Sequence, residues 1–311
     1  MLGLSVAALA ISAAPTASSG ALRDRMMDRS EARLHADELE QDDDQSGPVT
    51  LPAGVRLERD VAYGPDPLQR MDVYFPPGVD TAPVIFMVHG GAWMVGDKAY
   101  SNVVANKMKR WVPKGFILIS VNYRLSPQAD PIEQANDVAK ALAYAQSKAN
   151  NWGGEPSHFV LMGHSAGAHL VSLLAADPNI ASQQGGKPWL GTVALDSAAF
   201  DVPSIMKARH FRFYDRVFKD DPEYWRAASP IYRLASAGAP MMIVCSTQRQ
   251  VACEQARAFA DKASSMGRKV AVYPIAATHR EINQSLGLPG EYTDAVDSFL
   301  RSLGVKVEKQ D

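Results

Sequence analysis

The chain has 311 residues, of which 46% are hydrophobic and 21% are charged, a balance that is ordinary for a globular protein. Its formal net charge of −2 provides no electrostatic attraction to nucleic acid or to an anionic membrane surface. No apolar run reaches the length of a membrane span. A chain of this length can form one large domain or two small ones, and a single core of that size needs no disulfide or metal for stability.

The N-terminal segment differs in composition from the rest of the chain. Residues 2–14 are apolar and rich in small side chains, and the next few residues, Ala14 to Ala17, resemble a signal-peptide cleavage motif. Residues 1–17 are therefore predicted to be a secretory signal peptide, and the mature protein to be periplasmic or secreted and free of the membrane. If this segment is not a signal, the protein is cytoplasmic. Residues 18–50 are polar and charge-dense, which predicts a solvated, disordered linker.

The rest of the chain, residues 51–311, has the pattern of an α/β domain. Two alternating segments with turn residues between them predict an antiparallel hairpin, and the apolar runs and helical patterns that follow it alternate, which predicts a mostly parallel sheet with helices on both faces. Residues 198–234 are irregular and rich in aromatic side chains, and we expect a small cap-like insertion there. The hairpin is predicted at 55–63 and 69–75, further strands at 83–88, 116–121, 158–162, 190–195, 240–244 and 269–275, and helices at 97–111, 131–150, 166–176, 254–266 and 292–303.

One short motif joins the strand at 158–162 to the helix at 166–176. It is Gly-x-Ser-x-Gly, with Ser165 at its centre, and this is the sequence of a nucleophile elbow. The serine of such an elbow stands on a sharp, strained turn, and the glycines at 163 and 167 let strand and helix pass close to it. The N-terminus of the following helix favours negative charge that develops there. The motif therefore predicts a nucleophilic serine.

Other polar residues follow predicted strands in the same way. The loop at 89–93, Asp196 and His279 each come directly after, or within a few residues of, a strand, as Ser165 does. Ligands of open α/β sheets bind at the carboxyl ends of the strands. The sequence therefore predicts that these residues share one site.

Together these residues resemble the α/β-hydrolases of the carboxylesterase type. The chain is similar to the branch that shares His-Gly-Gly-x-Trp with arylformamidases and with lysophospholipase-like esterases. The resemblance covers about residues 57–303 and rests on 89–93, 122–127, 163–167 and His279. It implies the α/β-hydrolase fold and cleavage of short-chain or aryl esters, which are small-molecule substrates, through an acyl-enzyme. It implies no metal or other cofactor.

The resemblance also implies roles for individual residues. Ser165 is then the nucleophile, and His279 is the base that a serine hydroxyl needs at neutral pH. The backbone N–H groups of Gly91, Ala92 and Ala166 form the oxyanion hole, which is why a loop that approaches the substrate closely is required there. Trp93 lines the substrate pocket or covers the edge of the sheet.

The acid of the triad is where the sequence departs from the family pattern. The family carries an Asp in the loop that follows the strand predicted here at 240–244, but residues 245–254 contain no Asp, and Arg249 or Val251 stands about where it belongs. Glu254 is the nearest carboxylate in that loop and is the favoured acid. Asp196 is the alternative, because some α/β-hydrolases take their acid from the preceding strand.

The chain has two cysteines, Cys245 and Cys253, which bracket this acid loop. If the chain is exported they can form a disulfide that holds the loop in place, and otherwise they are two buried thiols. The sequence has no Cys/His cluster with the spacing of a zinc site, so no metal is predicted.

Two other functions compete with ester hydrolysis. The shared His-Gly-Gly-x-Trp motif also fits an amidase of the arylformamidase type. The irregular acid loop is the one feature that fits a non-catalytic binding protein with a hydrolase fold.

Overall fold

The computed structural model describes residues 49–307. The predicted signal peptide and almost all of the predicted linker lie outside these residues. Within them, one eight-stranded sheet has the order β1-β2-β4-β3-β5-β6-β7-β8. The strands are β1 Arg56–Ala62, β2 Arg70–Phe75, β3 Ala82–Val88, β4 Ile117–Val121, β5 Gly154–His164, β6 Gly191–Leu195, β7 Met241–Ser246 and β8 Val270–Ile275.

Strand β2 is antiparallel to its neighbours β1 and β4, and the other adjacent strands are parallel. This confirms the predicted α/β architecture with an antiparallel hairpin at its start. Every residue of β4, β6 and β7 is buried, because helices cover both faces of the parallel part of the sheet. Continuous apolar runs, rather than alternating ones, are the pattern that such strands require.

Helices connect the strands, and several begin with a residue that explains their start. The long helix after β4 has Pro131 at its first turn and Asp130 as N-cap in a capping box with Glu133. The helices are α1 Ser101–Trp111, α2 Pro131–Lys148, α3 Ala166–Ala176, α4 Asn179–Gln183, α5 Val202–Lys207, α6 Arg212–Phe218, α7 Pro222–Ala227, α8 Pro230–Arg233, α9 Gln250–Ser265, α10 His279–Gln284 and α11 Glu291–Ser302. Among the described residues, no helix is both long and apolar enough to cross a bilayer.

The segment 198–234 differs from its prediction. It was expected to be irregular, but it contains the four short helices α5 to α8. Each has at most seven residues, so none spans more than two turns and none produces a clear apolar period in the sequence. Its aromatic side chains Phe200, Phe213, Tyr214, Phe218 and Trp225 are buried and therefore act as core of this segment.

The register of the parallel strands aligns their carboxyl ends. Gly163 pairs with Val88 and with Ala194, and His164 pairs with Leu195, so the residues that follow β5 and β6 are neighbours. The amide of Ser165 donates to the carbonyl of Leu195, and the amide of Asp196 donates to that of Val244. The polar residues that the sequence predicts to share one site therefore follow strands that end at this edge of the sheet.

Candidate active site

The elbow holds Ser165 at the tip of a tight turn between β5 and α3. Ser165 has φ of 53°, in the left-handed region that a residue with a side chain rarely adopts. A Cβ on Gly167 would collide with the carbonyl oxygens of Val88 and His89, so only glycine lets α3 pass this close to β3. The predicted elbow geometry is therefore present.

Asp196 and His279 form a direct pair at the same edge of the sheet. The carboxylate Oδ2 of Asp196 lies 2.5 Å from Nδ1 of His279, and its Oδ1 accepts a hydrogen bond from the amide of Ser246 at 2.8 Å. The side chain of Asp196 is fully buried and its φ is 55°. His279 is the first residue of α10, which starts at the N-cap Thr278.

The prediction that Glu254 is the partner of the histidine is wrong. Helix α9 already starts at Gln250, so Glu254 lies one turn into it, where its side chain is exposed and accepts a hydrogen bond from Gln250 at 2.8 Å. Proximity in sequence to the expected acid loop did not bring this carboxylate to the site. The geometry supports the alternative, Asp196.

Arg249 is part of this cluster, a role that its sequence position alone does not indicate. Its Nη1 lies 2.7 Å from Oδ2 of Asp196 and 2.6 Å from Nδ1 of His279, and it also contacts the carbonyl of Asp196 at 3.3 Å. Burial alone would raise the pKa of Asp196, but the charge of Arg249 and the hydrogen bond from His279 hold this pKa well below its ordinary value. Asp196 is therefore an anion.

The contacts at Nδ1 of His279 decide what its ring can do. If Nδ1 carries a proton and donates it to Asp196, Nε2 is free to accept a proton; if Nδ1 accepts from Arg249, Nε2 carries the proton and is no base. Among the described residues, no hydrogen bond joins the hydroxyl of Ser165 to the ring of His279, and catalytic hydrogen bonds of this kind often tighten only in the Michaelis complex.

His164 supports the histidine from the side. Its Nε2 lies 3.0 Å from the carbonyl oxygen of His279, and the two rings are 4.5 Å apart. Burial lowers the pKa of His164 well below its ordinary value, and the neighbouring His279 acts in the same direction. His164 is therefore neutral, and its Nε2–H donates to that carbonyl.

The loop after β3 turns through three successive residues with positive φ. Gly91, Ala92 and Trp93 have successive φ values of 112°, 47° and 62°, and the carbonyl of Gly91 accepts from the amides of Met94 and Val95. Ala92 and Ala166 line the same small cavity as Ser165. The assignment of Gly91, Ala92 and Ala166 as oxyanion donors stays a prediction that this arrangement allows.

Trp93 connects this loop to the rest of the site. Its Nε1–H donates to Nδ1 of His169 in α3 at 3.1 Å, and its ring packs 5.0 Å from that of Phe218. Trp93 also lines the cavity beside Ser165, together with Phe213 and Tyr214 of α6. The cavity has a volume of only about 20 Å³, little more than one water molecule occupies.

The two cysteines form a disulfide, and this decides between the two alternatives that the sequence left open. Both Cys245 and Cys253 are buried. The loop that the bond closes contains Ser246 and Arg249. These two residues, in addition to His279, bind the carboxylate of Asp196. The disulfide therefore constrains the segment that holds the acid.

Comparison with known proteins agrees with this description. Residues 71–188 match the family model described as BD-FAE. The chain is 29% identical over 231 residues to Esterase LipC of Mycobacterium tuberculosis, covering 69% of this chain and 57% of that protein. It is 28% identical over 250 residues to the Probable carboxylic ester hydrolase LipM of the same organism, covering 73% of this chain and 57% of that protein. The chain thus spans about half the length of the curated relatives it matches.

Solved structures show the same fold. The crystal structure of esterase B from Lactobacillus rhamnosis superposes with a TM-score of 0.69 at 19% identity, covering 91% of this chain and 96% of that one. The chain therefore has the α/β-hydrolase fold. Its two matches in sequence given above are to proteins named as an esterase and a carboxylic ester hydrolase.

A buried lysine supports the helix that carries His279. Lys107 in α1 is fully buried, and its Nζ donates to the backbone carbonyl of Asn283 at 2.7 Å and to the side-chain oxygen of Asn283 at 2.8 Å. Asn283 lies in the last turn of α10. Burial lowers the pKa of Lys107 to about 7, because the charged ammonium is desolvated there.

We predict that Lys107 makes stability depend on pH above neutrality. Folding lowers the pKa of Lys107 to about 7, so between pH 7 and about 10.4 the unfolded chain binds a proton that the folded chain has lost. The free energy of unfolding therefore rises with pH in this window, by up to about 1.4 kcal/mol per pH unit. Urea denaturation of the wild type and Lys107→Met at pH 7 to 9.5 measures this. The variant should lack the rise, and equal slopes in the two proteins would contradict the prediction.

We also predict that loss of the disulfide lowers both stability and activity. A Cys245→Ala/Cys253→Ala variant loses a loop closure that contributes about 2–4 kcal/mol, so its melting temperature should fall. Its turnover of a p-nitrophenyl ester should fall by a larger factor than its folded fraction, because Ser246 and Arg249 lie in the released loop. Activity that simply follows the folded fraction would show that the bond stabilises the fold without ordering the acid.

Proposed function

We propose that the protein is a serine carboxylesterase that acts through an acyl-enzyme on Ser165. The observation that carries the proposal is the 2.5 Å contact between Asp196 and His279, at the sheet edge where the elbow presents Ser165. A serine, a buried carboxylate and a histidine in this chain order are the components of nucleophilic acyl transfer on this fold.

In this mechanism Ser165 attacks the ester carbonyl while Nε2 of His279 takes its proton. Asp196, held anionic in the buried site, keeps the proton of the ring on Nδ1 and stabilises the cation that forms. The negative oxygen of the tetrahedral intermediate lies against the amides of the loop at 91–92 and of Ala166, at the start of α3. His279 then protonates the leaving alcohol, and water, activated by the same histidine, releases the acid.

The proposed substrates are short-chain or aryl esters. The cavity beside Ser165 is narrow and is bounded by Trp93, Phe213 and Tyr214, whose aromatic rings provide an apolar wall. The names of the relatives, an esterase and a carboxylic ester hydrolase, support ester cleavage rather than amide cleavage.

We further propose that the protein is exported. The apolar segment at 2–14 and the cleavage-like motif after it support this, although both lie outside the described residues. The disulfide between Cys245 and Cys253 supports it independently, because such bonds persist in oxidising compartments.

The function is tested by hydrolysis of p-nitrophenyl butyrate with the wild type, Ser165→Ala, Asp196→Asn and Glu254→Gln. Ser165→Ala should abolish the acyl-enzyme, and Asp196→Asn should lower kcat by about 10⁴, the loss found when the triad acid of a serine protease is replaced by its amide. Glu254→Gln should retain wild-type rates, because that carboxylate faces solvent. It is the matched control for removal of a carboxylate.

The opposite results identify the competing functions. A wild type that cleaves an aryl formamide but not the ester is an amidase. A wild type that cleaves neither and is not labelled by a fluorophosphonate is a binding protein with a hydrolase fold. An effect of Glu254→Gln equal to that of Asp196→Asn would contradict the assignment of the acid.

Export is tested by expressing the full chain in a Gram-negative host and measuring where it accumulates. We expect the protein in the periplasm or medium, with a mass that corresponds to cleavage near residue 17. A chain of unchanged mass in the cytoplasm would contradict the proposal.

A further inference from the structure

Arg249 occupies a position that local structure disfavours. It is the N-cap of α9, and its side chain makes no capping hydrogen bond there. N-caps favour Ser, Thr, Asp and Asn, and a positive charge at a helix N-terminus is repelled by the helix dipole. A cation in this place must therefore be retained for a contact outside the helix.

That contact is with Asp196. The guanidinium binds the side-chain oxygen Oδ2 at 2.7 Å and the backbone oxygen of the same residue at 3.3 Å, so it fixes both the carboxylate and its main chain. Asp196 is fully buried and has the left-handed φ of 55°, which neighbouring groups must enforce. Without the arginine, the partners that the described residues give this buried anion are the Ser246 amide and the His279 ring.

We propose that Arg249 is a positioning residue that fixes the carboxylate of Asp196 against Nδ1 of His279. Arg249 stands about where the family carries its acid. In this chain the acid follows β6 instead, and the loop at 245–254 provides the cation that holds it. By occupying one side of Oδ2, the guanidinium leaves the carboxylate a single orientation, in which the Nδ1–H of His279 completes its hydrogen bonds. This inference rests on the proposed function.

The contact between Arg249 and His279 makes this orientation decisive. Nη1 and Nδ1 are 2.6 Å apart, and both can donate to Oδ2 of Asp196. If the carboxylate turned away, Nδ1 would accept from Arg249 instead and the proton would move to Nε2, where it blocks removal of the Ser165 proton. Asp196 and Arg249 therefore act as a unit, and the ion pair between them selects the productive form of the ring.

The test compares Arg249→Met and Arg249→Lys with Arg233→Met as the matched control. Arg233 forms a comparable ion pair, 2.7 Å from Asp177, and does not line the cavity. We expect Arg249→Met to lower kcat for p-nitrophenyl butyrate by about 10- to 100-fold at unchanged KM, the usual effect of removing a group that orients a catalytic ligand. Lysine keeps the charge but not the planar fork, so its kcat should fall between those of the wild type and the methionine variant.

A measurement independent of turnover completes the test. Proteins labelled with ¹⁵N-histidine report by NMR whether Nδ1 of His279 carries a proton, and the signal is assigned by its loss in His279→Gln. We expect the protonated Nδ1 signal in the wild type and Arg233→Met, and its weakening in Arg249→Met, because a carboxylate that the guanidinium no longer fixes holds the proton on Nδ1 less firmly. Melting temperatures show that each variant is folded, and Arg249→Lys serves if the methionine variant is not.

The two proposals fail in different ways. If the wild type hydrolyses the ester and a folded Arg249 variant keeps both kcat and the Nδ1–H signal, the positioning role is wrong and the esterase function stands. If the wild type hydrolyses no ester while the signal depends on Arg249 as described, the esterase function is wrong and the positioning role stands.

Discussion

The site depends on one buried anion. Asp196 has no exposed surface, and a carboxylate in such a place is stable only if each of its oxygens is paired. The partners are the amide of Ser246 at the end of β7, the guanidinium of Arg249 at the start of α9, and the ring of His279 after β8. Since removing one partner of a buried ion pair is costly, these segments are held in a single arrangement.

The sheet makes this convergence possible. Strands β5, β6, β7 and β8 are adjacent and parallel, so the residues that follow them meet at one edge even though they are far apart in sequence. The disulfide then closes the short loop between β7 and α9, and the hydroxyl of Ser246 donates to the carbonyl of Ala277, two residues before His279. The disulfide therefore constrains the loop that carries Arg249, and the hydrogen bond of Ser246 links that loop to the residues just before His279.

A second set of contacts holds the opposite side of the cavity. The indole of Trp93 joins the loop after β3 to His169 of α3, and Nε2 of His169 lies 2.7 Å from the carbonyl of Ala228. Burial lowers the pKa of His169 to about 4, so the ring is neutral near pH 7, where Nδ1 accepts from the indole and Nε2–H donates to the carbonyl. The loop of the predicted oxyanion donors, the elbow helix and the segment 198–234 are thereby connected.

The sequence by itself determined those features of the fold and the site that depend on residues close together in the chain. Buried strands follow from continuous apolar runs, the elbow from glycines at 163 and 167 around Ser165, and the place of His279 from a strand that ends just before it. Short helices such as α7 escaped prediction because six residues do not establish an apolar period, although Asp221 and Pro222 are ordinary signals of a helix start.

Only the tertiary structure decided which carboxylate is paired with His279. Glu254 is closer in sequence to the expected acid position, but α9 begins four residues earlier and turns it to solvent. Asp196 is 83 residues from His279 and reaches it because β6, β7 and β8 are neighbours in the sheet. The role of Arg249 was hidden for the same reason: an ion pair between distant residues is set by strand order and register, which local sequence patterns do not specify.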